Sequence, residues 1–177
     1  KLIKMEILIR RISMHKTLYE ALTIAFPELK EAPLPDEQDN FESFKTWMNQ
    51  FYSNLQQLNM MDFRQSGIDE CHRLQQLNID LDELKNQIEN EMGVFDEMYE
   101  DDHPDPEAVY AYDSELIFNV IFNNIKLFVE PYDLALLVIE QENPYWFVVP
   151  NNEELTHQII TTYNHIFGDE EPMVLID

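Results

Sequence analysis

Apolar side chains recur with the helical period in several separate stretches of the chain. In "DNFESFKTWMNQFYSNLQQLNMM", residues 39–61, the set Phe41, Phe44, Met48, Phe51, Tyr52, Leu55 and Leu58 follows a spacing of about 3.6. That spacing predicts a long helix opening at Asp39, with Glu42 three residues on as its capping-box partner. Trp47 falls off the stripe and is expected to be partly exposed. Upstream, "MHKTLYEALTIAFPEL" places Leu18, Leu22, Ala25 and Phe26 on one face of a helix that Pro27 ends, and "KEAPLPDEQDN" reads as a loop. Downstream, "IDECHRLQQLN" offers a shorter helix through Ile68, Cys71, Leu74 and Leu77. "DLDELKNQIENEMGVFDEMYE" offers a longer one capped by Asp80, with Leu81, Leu84, Ile88, Met92, Phe95 and Met98 facing inward.

The pattern changes in the C-terminal half. "DSELIFNVIFNNIKLFVE" is apolar enough for a buried helix starting at Asp113, and Pro131 marks its stop. Two β-rich runs, Leu134 to Glu140 and Tyr145 to Val149, flank the polar "QENP" and predict a hairpin. Alternation puts Tyr145, Phe147 and Val149 on one face and Trp146 and Val148 on the other. One face is expected in the core, and the other to present an aromatic side chain to a partner. A final amphipathic helix follows, capped by Asn151 or Asn152 and closed by Gly168, and "DEEPMVLID" can add an edge strand. The fold class is therefore α+β: a predominantly helical single domain with a small antiparallel β-hairpin or three-stranded sheet in the C-terminal half. Residues 1–13, "KLIKMEILIRRIS", form a basic N-terminal extension or short strand, and residues 14–177 form the acidic α+β domain.

Composition narrows the chemistry. The 177 residues include only three glycines, Gly67, Gly93 and Gly168, so no phosphate-cradling glycine loop exists. The single Cys71 forms no intrachain disulfide, and the N-terminal basic stretch lacks the apolar length and cleavage site of a signal peptide. The longest apolar run, "LALLVI", is far short of a membrane span. These features predict a cytoplasmic protein with no membrane contact. The formal net charge of −24 is concentrated beyond Lys85, where twenty-one carboxylates face Lys126 alone. Such a single-sign field attracts basic surfaces and repels nucleic acid, so no direct nucleic-acid binding is expected.

The densest part of that field is "YEDDHPDPEAVYAYDSE", residues 99–115, with seven carboxylates, His103 and no lysine or arginine. Asp101, Asp102, His103, Asp105 and Glu107 are ligand types for a cation. Pro104 and Pro106 nonetheless break the spacing that a calcium loop requires, and no metal or other cofactor is expected. Glu153, His157 and His165 lack the two histidines four apart that a zincin helix needs, and read as solvent-facing. Cys71 and His72 are chain neighbours pointing different ways, which argues against a thiolate–imidazole dyad and for a core cysteine. No Gly-x-Ser-x-Gly elbow is present, and the chain is not expected to be an enzyme.

The expected function is an acidic protein-binding module that neutralises a basic protein, either a nuclease toxin or an enzyme inhibited by DNA mimicry. The partner-binding set comprises Asp96, Glu97, Tyr99, Glu100, Asp101, Asp102, Asp105, Glu107, Tyr110, Tyr112 and Trp146, carboxylates for steering and aromatics for anchoring. In size and charge the chain resembles bacterial immunity proteins of contact-dependent and polymorphic toxin systems. That resemblance implies a toxin inhibitor that occludes a basic active surface. The alternatives are a globular protein whose acids serve solubility, and an enzyme or small-ligand protein without a recognisable motif.

Overall fold

A computed structural model describes the backbone of residues 17–99 and 106–177, and the side chains of residues 17–93 and 114–177. The basic stretch 1–13 lies outside them. In chain order the elements are α1 (17–25), a 3₁₀ turn (Pro27–Glu31), α2 (Phe41–Met48), β1 (Gln56–Gln57), α3 (His72–Gln76), α4 (Leu81–Tyr99) and α5 (Pro106–Val129). The chain continues with β2 (Leu134–Ile139), β3 (Tyr145–Pro150), α6 (Glu153–Phe167) and β4 (Met173–Leu175). The α+β class is as expected from the sequence, but among the described residues the sheet has four strands, all antiparallel, in the order β1-β3-β2-β4.

The hairpin forms where the two β-rich runs place it, with Leu134 opposite Pro150 and Ile139 opposite Tyr145. Its side chains part into two layers. Leu137, Ile139, Phe147 and Val149 pack with α1, α2 and α6, while Leu136, Val138, Trp146 and Val148 pack with α3, α4 and α5. Both faces of the sheet are covered by helices, which explains why "LALLVI" and "WFVV" are unbroken apolar runs.

This arrangement corrects the expectation for Trp146. Its side chain is 0% exposed, and its Nε1–H donates to the Ser66 carbonyl at 2.7 Å. It is a core residue held by a buried hydrogen bond, and it leaves the partner-binding set.

Two helix boundaries also differ. α2 is capped by Asn40, whose side chain accepts from Ser43 N at 2.9 Å, and it stops at Met48. Beyond it, Asn49 Oδ1 accepts from the backbone N–H groups of Asn54 and Leu55, and Asn54 Nδ2 donates to Met48 O. These side-chain bonds offer the backbone an alternative to another helical turn. The chain reverses and Gln56 pairs with Trp146 as a strand. α5, in turn, opens at Pro106 rather than Asp113. Proline suits the first helical position, where its missing N–H has no intrahelical role. The caps at Asp80 and Asn152 and the closing Gly168 are as the sequence predicts.

The tail supplies the expected edge strand, with Met173 opposite Ile139. Its outer side is closed by Asn164 of α6: Oδ1 accepts from Met173 N at 2.7 Å and Nδ2 donates to Met173 O at 2.9 Å. A side-chain amide thus occupies backbone groups that would otherwise template another strand. Asn164→Ala is expected to lower unfolding free energy by about 1–2 kcal/mol in urea titrations, the scale of two part-buried hydrogen bonds. Unchanged stability would show that β4 holds its place without the clamp.

Candidate partner-binding surface

The sequence-predicted site straddles the junction of α4 and α5. Asp96, Glu97 and Tyr99 belong to the C-terminal turns of α4, and Glu107, Tyr110 and Tyr112 to the N-terminal turns of α5. Their side chains, with Phe95 and Met98, lie outside the described residues, as do Glu100, Asp101, Asp102 and Asp105 altogether. Below the junction the two helices are tied by Asn124 Nδ2, which donates to Glu91 Oε2 at 3.0 Å.

The cations on the described surface are largely engaged in local contacts. Lys45 Nζ lies 2.7 Å from Glu42, donates to Tyr145 Oη at 3.0 Å and sits over the Phe41 and Tyr145 rings. Arg64 pairs with Glu89 at 2.8 Å, and Lys85 lies within 3.0 Å of both Asp69 and Asp82. Arg73 donates to the Ala25 carbonyl and covers the face of Phe26. Burial, the main influence on its guanidinium, lowers its pKa. Of the Lys and Arg residues among the described side chains, Lys30 and Lys126 take no part in these contacts. From residue 114 onward Lys126 is the sole cation among eleven carboxylates. At Glu171 burial first, and then the Glu170 carboxylate, raise the pKa against the pull of Lys45.

A second acidic feature, which sequence reasoning missed, lies on the opposite side of the sheet from α4 and α5. The loop at Pro33–Glu37 and one side of α2 enclose an open groove of about 480 Å³. Asp36, Glu37 and Glu42 line it, together with Ser43, Thr46 and Trp47. Trp47 is 2% exposed, held edge-on by Tyr19 with ring centroids 4.8 Å apart, and its buried Nε1 has no hydrogen-bond partner. Gln50 ends the groove, and the next two residues, Phe51 and Tyr52, are 46% and 47% exposed. Tyr52 stacks flat on His72, with centroids 3.9 Å apart and planes 3° apart.

The turn that displays these aromatics is firmly built. Besides the Asn49 and Asn54 bonds, Ser53 O accepts from His72 N at 3.0 Å and from Gln56 Nε2 at 2.7 Å. The helical reading placed Phe51 and Tyr52 in the core and Trp47 partly outside; the structure reverses both. The signal was present in the polar residues Asn49, Ser53 and Asn54, which bracket the aromatic pair and compete for backbone bonds.

Among the described residues no other candidate chemistry is assembled, and His103 with its neighbouring carboxylates lies outside them. Cys71 is fully buried, and desolvation raises its thiol pKa to about 11, so it stays protonated at neutral pH. His157 and His165 are exposed on α6, and the described residues contain no group of three metal-ligating side chains. No helix among them is long and apolar enough to cross a membrane. Comparison with protein-family models, curated proteins and solved structures finds no match to this chain.

Proposed function

We propose that this chain is an acidic protein-binding module that neutralises a basic partner, acting as a toxin immunity protein or a DNA-mimic inhibitor. The observation that carries this reading is the disposition of charge. Lys45, Arg64, Arg73 and Lys85 are engaged within the fold, while the carboxylates far outnumber them on a chain of net charge −24. A field of one sign accelerates encounter with the opposite sign and rejects nucleic acid. A nuclease must itself be basic to hold phosphates, so its substrate-binding face is complementary to such a module.

The test is affinity capture from the native lysate with mass spectrometry, followed by association kinetics of the purified pair. The captured protein is expected to be basic. Its association rate should fall at least about tenfold between low and high salt, as for electrostatically steered pairs. Reversing Glu100 and Asp102 to lysine should lower the rate further. A salt-insensitive rate would remove the electrostatic reading, and unaffected reversals would remove the 99–115 stretch from the interface.

A further inference from the structure

From residue 114 onward α5 is apolar on most of its circumference, yet one side of it faces outward. Ile121, Ile125 and Val129 are fully buried in the core layer, whereas Leu127 is 56% exposed. Glu115, Asn119 and Asn123 are also exposed, and Leu116 and Lys126 are half-buried. With 3.6 residues per turn, positions 116, 119, 123 and 127 form one outer strip, and positions 115 and 126 lie along one edge of it. Residues 114–130 carry only Glu115, Lys126 and Glu130 as charges, so the strip is nearly neutral on a chain of net charge −24. Lys126 takes part in none of the ion pairs among the described residues.

The order of side chains along the strip is self-complementary. A twofold axis crossing it near residue 121 lays a second α5 antiparallel on the first, and each edge of the strip then meets its own copy. Glu115 comes opposite Lys126 of the other copy, Leu116 opposite Leu127, and Asn119 opposite Asn123, each pair occurring twice. The three pairs share one centre to within a residue, so a single placement satisfies all of them. The leucines exclude water, the amides can hydrogen-bond across the contact and fix its register, and the opposite charges close its edge. Lys126 would repel a basic protein at this strip, whereas a second copy brings Glu115 to it.

We propose that the outer strip of α5, from Glu115 to Leu127, is a self-association surface on which a second copy of this chain packs antiparallel about a twofold axis. The contact is one helix face wide, smaller than the ~1,600 Å² of a standard interface, so the dimer is weak. It goes beyond the reading of the chain as a binder of basic proteins and does not depend on it.

The test is sedimentation equilibrium in ~0.15 M salt, which screens repulsion between the two acidic copies beyond ~8 Å. Loading from ~1 μM to ~1 mM spans the range of weak association. The parent chain is expected to pass from monomer to dimer over that range, and a chain that stays monomeric throughout overturns the proposal.

Charge reversal then tests the register. Lys126→Glu or Glu115→Lys alone should weaken the dimer about tenfold, because each sets like charges opposite one another at two symmetric contacts. The general field predicts the opposite sign for Glu115→Lys, since a less negative chain would associate more readily. Glu115→Lys combined with Lys126→Glu should restore the parent affinity to within about twofold. The two positions are about 16 Å apart along their own helix, so the rescue has to come from the second copy. Leu127→Gln, which leaves the charge unchanged and keeps a good helix former, should weaken the dimer about tenfold by removing the apolar contact. All these positions reach the surface, and circular dichroism checks that the variants keep their fold. A dimer that the single reversals leave unchanged, or that the double reversal fails to rescue, would place the contact elsewhere and overturn the proposal.

Discussion

Trp146→Ala should destabilise the protein by about 3–5 kcal/mol, the range for truncating a large buried aromatic. Typical domains have only about 5–15 kcal/mol of net stability, so this one change removes a large part of it. Trp146 is central in three respects. It pairs with Gln56 on one side and Val138 on the other, it fills the layer shared with α3, α4 and α5, and it satisfies the Ser66 carbonyl. Truncation opens a cavity and orphans an acceptor together. Trp146→Phe keeps most of the volume but loses the N–H and part of the fused ring, with an expected cost of about 1–3 kcal/mol. Guanidinium titration, followed by circular dichroism, separates the two variants. An alanine variant within about 1 kcal/mol of the parent would mean that this layer is not a packed core. Because the side chain is buried, the phenylalanine variant should bind a basic partner as the parent does.

Gly67→Ala should cost about 2–5 kcal/mol. The backbone at Gly67 has φ +80°, a left-handed conformation that costs an ordinary residue about 1–2 kcal/mol. An added Cβ would also stand 2.6 Å from Gln56 Cβ. No rotamer relieves a clash between two Cβ atoms, so β1 must shift from Trp146, adding about 1–3 kcal/mol of overpacking. The two contributions can be separated by placing Gly67→Ala in a Gln56→Gly background, where only the backbone cost should remain. An equal penalty in both backgrounds would assign the whole effect to φ.

The fold was legible wherever local chemistry and packing agree. α4 carries a helical stripe behind the Asp80 cap, and the 134–150 hairpin has two apolar runs parted by a polar turn. α6 lies between Asn152 and Gly168. β1 was not legible, because "QQ" has no strand pattern and becomes a strand only through its pairing with Trp146 and Tyr145. The start of α5 was hidden by proline and acid content that reads as loop, although Pro106 is well placed at a first helical position. For the candidate surface, charge was visible in composition, whereas the groove was not. It depends on the loop from Pro33 to Glu37 closing against α2, and on Asn49 ending that helix before the aromatic pair.

The packing of α2 also sets when such a groove can exist during synthesis. Phe41 and Phe44 rest on Tyr145, Tyr163 and Phe167, and Phe26 rests on Phe147. The ribosome makes α2 early, yet its supports are among the later residues to emerge. Contacts so distant along the chain form late, after the local hairpin and helices. A nascent or truncated chain would therefore carry the acidic residues of the Pro33–Glu37 loop and α2 without the groove that they line in the finished fold.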